Sequence, residues 1–231
     1  MKIRIKFSKK GAVKFIGHLD VMRYFQKLMR RADIPIAYSG GMSPHQVMSF
    51  ALPLGIGLES DAEYMDIEIT EPVLSAEAIE AMNNVSAEGI RVLTFRKLPE
   101  TAGNAMASVA AADYLISFRE DFRPPFSLKE AFADLMGQEE IIVSKKTKRS
   151  EQEIDLKPSI YRHEETEDTV MLCLSCGSVT NIKPELVMEA LYRQQGAQLD
   201  EFGLLIRRLE LYTIQDQRFL SLNEIGMDVI A

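Results

Sequence analysis

The chain has 231 residues, a formal net charge of −7, 46% hydrophobic and 26% charged residues, two cysteines and no tryptophan. This length builds one large domain or two small ones, and the composition is that of a globular protein rather than a disordered or fibrous one. Two cysteines exclude a disulfide scaffold, and no apolar run is long enough for a transmembrane helix, so the expected location is cytoplasmic with no membrane partner.

Charge is unevenly spread. Residues 1–50 carry ten Lys or Arg against Asp20 and Asp33, whereas residues 51–140 carry six against seventeen Asp or Glu. A basic stretch on an acidic body suits a surface that meets an anionic partner; it equally suits neutralisation of one segment by the other. The start, MKIRIKFSKKG, has the basic flank of a signal peptide but no apolar segment behind it.

In chain order, KIRIKF alternates, with Ile3, Ile5 and Phe7 on one face and Lys2, Arg4 and Lys6 on the other, as a half-buried strand does. Residues 18–31 change to helical spacing. Val21, Met22, Phe25, Leu28 and Met29 share one arc, and Arg23, Lys27, Arg30 and Arg31 the opposite one. IPIAYS is a short strand candidate ahead of a glycine loop. EYMDIEI alternates again, with Met65, Ile67 and Ile69 inward and Asp66 and Glu68 outward. Ser75 is expected to cap a helix running to about Asn83, and GIRVLTFRKL closes the unit as a strand. The order β-α-β-β-α-β is the split βαβ, or ferredoxin-like, arrangement.

A second series follows. ADYLISF reads as a strand, Ser127 with Glu130 as a capping box, and EEIIVSKK with EIDLKPSIY as a hairpin around a basic turn. TVMLCLS is another strand, Pro184 opens a helix, and GLLIRRLELYTI is the last strand. The expected fold is therefore α+β: tandem ferredoxin-like (split βαβ) modules with antiparallel sheets. Residues 1–98 form the first module, 99–111 a small-residue linker with one short helix, and 112–231 the second.

Several residues invite a functional reading. Asp66 and Glu68 stand opposite Lys2, Arg4 and Lys6, and an ion-pair ladder accounts for that face. Arg23, Lys27, Arg30 and Arg31 face solvent together, with Lys14 in the loop before them. The helix macrodipole accounts for Arg30 and Arg31, and phosphate contact accounts for all four. A second basic cluster, Lys145, Lys146, Lys148 and Arg149, falls on the expected hairpin tip.

The loop holding Ser39, Gly40, Gly41, Ser43 and His45 can turn backbone N–H groups inward as an anion nest. It lacks the Lys-Ser/Thr ending of a P-loop, and a wide connection between strands explains its glycines equally well. His18, at the helix start, reads as a polar cap. Together with His45 it is also a candidate acid–base pair. His163 lies in an acidic turn and is expected to be solvated. Cys173 and Cys176 match C-x-x-C, but residues three apart on a strand point to opposite faces, and there is no second pair for zinc. They are expected to be buried structural cysteines, with no metal and no cofactor.

The motifs GHLD at 17–20, RRADIP at 30–35, YSGGMSPH at 38–45 and FALPLGIGLES at 50–60 form a specific set. With SKKTKRSEQEIDLKPSI at 144–160 and the stretch around Pro184, they resemble a bacterial family of unknown function described as radical-SAM-associated, or radical-SAM-linked. Its members occur beside, or fused to, cobalamin-type radical S-adenosylmethionine proteins. The resemblance covers nearly the whole chain and implies a standalone form, because the cluster-binding C-x-x-x-C-x-x-C is absent. It also implies a radical SAM protein as partner. The expected function is an accessory, non-catalytic binding protein that recognises or presents an anionic substrate, RNA or tRNA, to that partner. One alternative is a metal-independent RNA-processing enzyme using His18 and His45, because paired ferredoxin-like modules resemble CRISPR repeat-processing endoribonucleases. The other is a pure protein–protein adaptor.

Overall fold

A computed structural model describes residues 1–146, 151–177, 180–200 and 202–231. The chain divides into two compact units, one of Met1–Ala110 with Leu209–Ala231 and one of Ala111–Arg208.

The first unit begins β1 (Lys2–Lys9), α1 (His18–Arg31), β2 (Met48–Phe50), β3 (Glu59–Glu68), α2 (Ser75–Asn84) and β4 (Ile90–Lys97). Its strands lie in the order β4-β1-β3-β2, every pairing antiparallel, which is the ferredoxin-like sheet. The apolar side of β1 builds the core. Ile3, Ile5 and Phe7 pack with Phe25, Leu28 and Met29 of α1 and with Ala78 and Met82 of α2. The rings of Phe7 and Phe25 sit 4.5 Å apart. Each such fully buried side chain contributes about 1.5–3 kcal/mol, which explains why two short helices suffice to cover one sheet face.

Local readings failed at two places. IPIAYS does not become a strand; it contributes isolated bridges from Ile36 to Ile69 and from Tyr38 to Gln46. Pro35 has no N–H for a ladder, which interrupts the segment. Ser75 is not a cap either, since Leu74 holds that position. Instead the Ser75 hydroxyl donates to the Phe95 carbonyl at 2.5 Å and accepts the Val229 N–H at 2.8 Å.

Residues 98–110 are packed against the first unit, with Leu98, Ala105 and Val109 buried, and they contain the short helix α3 (Ala105–Ser108).

The second unit repeats the plan with β5 (Ala111–Phe118), α4 (Leu128–Gly137), β6 (Ile142–Lys146), β7 (Glu151–Asp155), β8 (Ile160–Glu165), β9 (Thr169–Ser175), α5 (Pro184–Gln194) and the first part of β10 (Leu204–Gln215). Its order, β10-β5-β9-β8, again places the last strand beside the first; β6 and β7 pair antiparallel as the expected hairpin arms do, in a two-stranded sheet of their own, and the basic turn between them lies outside the described residues. Ser127 caps α4 by accepting the Glu130 N–H, and Pro184 occupies the first turn of α5.

The span 112–231 is divided at Arg208. Residues 209–231 complete the first unit through the rest of β10, β11 (Arg218–Ser221), a 3-10 turn at Leu222–Ile225 and β12 (Met227–Asp228) on β4. Polar bonds secure this strap. Glu210 accepts from Lys6 at 2.8 Å and from the Tyr64 hydroxyl at 2.5 Å, and the Asn223 carbonyl accepts from Arg96 at 2.7 Å. Burial, and then the Glu210 carboxylate, push the Tyr64 phenol far above its ordinary range, so it stays a hydrogen-bond donor.

Candidate binding surface and adjoining cleft

Helix α1 carries the basic stripe because its apolar arc, Val21, Phe25, Leu28 and Met29, is fixed against the sheet. Arg23, Lys27, Arg30 and Arg31 are exposed together. Arg23 meets Asp20 at 3.3 Å in an exposed pair worth no more than about 1 kcal/mol. Arg30 donates through Nε to the Gln26 carbonyl at 3.3 Å, and Lys27 and Arg31 have no carboxylate partner among the described residues. Lys14 is more engaged, lying 3.7 Å from Glu59 and over the Phe15 ring at 5.4 Å. His18 is the first helical residue and makes no cap bond; its ring meets Phe50 edge-on at 5.1 Å.

The glycine bend is closed on itself. The Ser39 N–H donates to the His45 carbonyl at 2.8 Å, and the His45 N–H donates to Ser39 Oγ at 3.1 Å. The same Oγ lies 2.8 Å from His45 Nδ1. Two N–H groups at the foot of the loop are thus occupied internally, while Gly40, Gly41 and Ser43 stay exposed. Gly41 has φ +101°, a backbone region that side chains disfavour. What fixes the bend in space is Gln46, which is buried. Its Nε2 donates to the Gln26 carbonyl of α1 at 3.2 Å and to the Tyr38 hydroxyl at 3.4 Å. The bend and the exposed Tyr38 are therefore seated beside the basic helix.

On its other side the bend borders a cleft of about 340 Å³, lined among others by Lys2, Ser39, His45, Ser49, Glu68 and Asn104. His18 is not among its lining residues, so the two histidines face different surroundings. Beneath the cleft the expected ladder is present in one rung. Arg4, only 2% exposed, forks onto Asp66 at 2.8 and 2.9 Å, and Asp66 also accepts the Ala105 N–H at 3.0 Å. Sequence reasoning missed Asn104, which caps α3 by accepting the Met106 N–H at 2.8 Å and also donates to Ser49. An Asn before an Ala-rich stretch is a readable cap signal, here hidden in a segment expected to be a linker.

In the second unit His163 is not simply solvated. It lies on β8, half-buried, with Nδ1 2.6 Å from Glu165 and its ring stacked on Phe132 at 5.6 Å. Strand pairing with β9 turns that side of β8 toward α4, which a turn would not do. Cys173 and Cys176 are buried free thiols. Cys173 stands opposite Asp113 and Arg162 on the neighbouring strands, and burial, reinforced by Asp113, pushes its thiol up to about 12. Burial raises Cys176 as well. Neither is an activated nucleophile. No cluster of three or more metal-ligating side chains occurs among the described residues. Of the second basic cluster, Lys148 and Arg149 lie outside the described residues, as do the side chains of Lys145 and Lys146.

No helix among the described residues is long and apolar enough to cross a membrane. A family model described as an uncharacterized protein conserved in bacteria (DUF2344) matches residues 2–184. That description agrees with the bacterial, uncharacterised part of the resemblance read from the motifs and names no radical SAM partner. No curated protein matches the chain in sequence. Among solved structures, a chain of a Cbf5-Nop10-Gar1 complex is similar at 10% identity and a TM-score of 0.49, over 90% of this chain and 48% of that one. This chain thus spans about half the length of that one, and a likeness at this score carries no functional argument.

Proposed function

The chain belongs to the bacterial family DUF2344, and we propose that it is an accessory binding protein that holds an anionic polymer, RNA by preference, on the exposed face of α1 and the adjoining bend. In this reading it presents the RNA to a radical SAM protein. One observation carries the proposal. The Gln46 amide joins the α1 backbone at Gln26 to the Tyr38 hydroxyl, so an exposed aromatic residue is anchored to the helix that carries Arg23, Lys27, Arg30 and Arg31. A cationic track with a neighbouring ring is the chemistry that binds single-stranded nucleic acid, the cations following phosphates and the ring taking a base. The radical SAM partner is supported by the motif resemblance alone.

The test is the affinity for tRNA and for short single-stranded RNA across a salt series. Four phosphate contacts give a slope of log K on log salt of about −3 for a single strand, and replacing Lys27 and Arg31 by Ala lowers its magnitude by about half. An affinity flat in salt, or unaltered by that double substitution, refutes the reading. Co-purification with a radical SAM protein tests the partner separately. An enzymatic reading would need His18 and His45 at one substrate. Equal or absent RNA cleavage by wild type and His45→Ala removes it.

A further inference from the structure

The sheet face beneath the cleft carries the same charge motif twice. Arg4 is the register partner of Asp66, and Lys2 that of Glu68. On β2, Ser49 lies opposite Asp66, and the Val47 carbonyl accepts the Glu68 N–H at 3.2 Å. Alternation puts all six side chains on one face, in two parallel rows: Arg4, Asp66, Ser49 and Lys2, Glu68, Val47.

The first row is complete. Asp66 receives two guanidinium N–H groups and the Ala105 backbone N–H. The second row is not. Lys2 and Glu68 make no ion pair with each other or with any other described residue, although they are register partners. Both residues line the cleft, together with Ser39 and His45 of the bend. Ser39 holds His45 through Nδ1, which leaves Nε2 as the ring nitrogen available to a ligand. At about 340 Å³ the cleft is within the size range of small-molecule sites, and a second hollow continues from it past Lys2 and Glu68 to Leu98 and Glu100.

We propose that this cleft binds a small zwitterion of the amino-acid type. Its ammonium group donates to Glu68, as the Ala105 N–H donates to Asp66 one row below, and its carboxylate lies between Lys2 and the His45 ring. A simple anion would leave Glu68 facing it with like charge; a simple cation would do the same to Lys2. A ligand carrying both charges a few atoms apart satisfies both walls. The apolar lining at Val47 and Leu98 takes the ligand's side chain.

The probes are the free protein amino acids, each at millimolar concentration, with their N-acetyl and carboxamide forms, followed by calorimetry and backbone amide shifts on the full chain. At least one free amino acid is expected to bind saturably, with shifts confined to residues 1–4, 39–49, 66–68 and 98–104. Its N-acetyl and carboxamide forms bind at least tenfold more weakly. Glu68→Gln removes the preference for a free ammonium and Lys2→Met that for a free carboxylate. Both side chains are solvent-accessible, so thermal unfolding of the variants matches wild type. No saturable binding by any amino acid, equal binding of the blocked forms, or unchanged binding by Glu68→Gln overturns the proposal. RNA affinity at α1 is read separately and is untouched by either substitution.

Discussion

Replacing Asp66 by Ala is the most informative perturbation of the first unit. Arg4 is 2% exposed and Asp66 15% exposed at the side chain, and their fork is formed at 2.8 and 2.9 Å. Removing the carboxylate leaves a buried guanidinium whose remaining partner is the Leu222 carbonyl at 3.5 Å, a marginal contact. It also orphans the Ala105 N–H. Breaking a buried pair on one side costs about 3–5 kcal/mol, and an unsatisfied amide about 1 kcal/mol more. Because Asp66 keeps some solvent contact, the low end applies, and a loss of about 3–4 kcal/mol is expected. The double variant Arg4→Met with Asp66→Leu removes both charges and costs clearly less than Asp66→Ala alone. Urea unfolding gives the free energies, and hydrogen exchange at Ala105 reports whether α3 loosens. A single-variant loss under about 1 kcal/mol, or a double variant less stable than the single one, would refute the reasoning.

Two further outcomes are expected. Gly89 has φ +89°, and an added Cβ would collide with the Lys10 carbonyl and the Val13 side chain, whereas Gly41 at φ +101° has open space around it. Gly89→Ala therefore costs more than about 2 kcal/mol and Gly41→Ala about 1 kcal/mol, the backbone strain alone; equal losses in thermal unfolding would contradict this. Cys173 supplies a pH dependence. Its thiol is raised from an ordinary value of 9.0 to about 12, so both folded and unfolded states hold the proton below pH 9. Above pH 9 the unfolded thiol ionises first, and stability falls by up to about 1.4 kcal/mol per pH unit until the folded thiol titrates near 12. Cys173→Ala makes the fall between pH 9 and 10 shallower, the remaining slope coming from the other buried groups with raised values, Cys176 first among them. An unchanged slope there would show that the thiol is not held as described.

Much of the fold follows from local periodicity. The alternation of KIRIKF and EYMDIEI, the helical spacing of residues 18–31, the Ser127 cap and Pro184 each express a preference within about one turn or one strand. Two helices and four strands in the order β-α-β-β-α-β leave few ways to cover one sheet face, so the antiparallel ferredoxin-like sheets followed from element order. The exposure of the α1 cations was legible for the same reason, because it is the complement of the apolar arc.

The candidate sites were less so. No local pattern says that Ser75 will reach Phe95 and Val229, that Gln46 will clip the glycine bend to Gln26, or that residues 209–231 will return to the first unit. The amino-acid order determined which residues form strands and helices, and so which side chains share a face. Only the tertiary structure decided that Asp66 is satisfied by Arg4 and by the Ala105 N–H of α3 while Lys2 and Glu68, one row away, line a cleft without an ion pair among the described residues. The physical reason is that hydrogen-bond satisfaction of a buried charge is settled by whichever distant segment arrives over it, and that segment lies tens to hundreds of residues away in the chain.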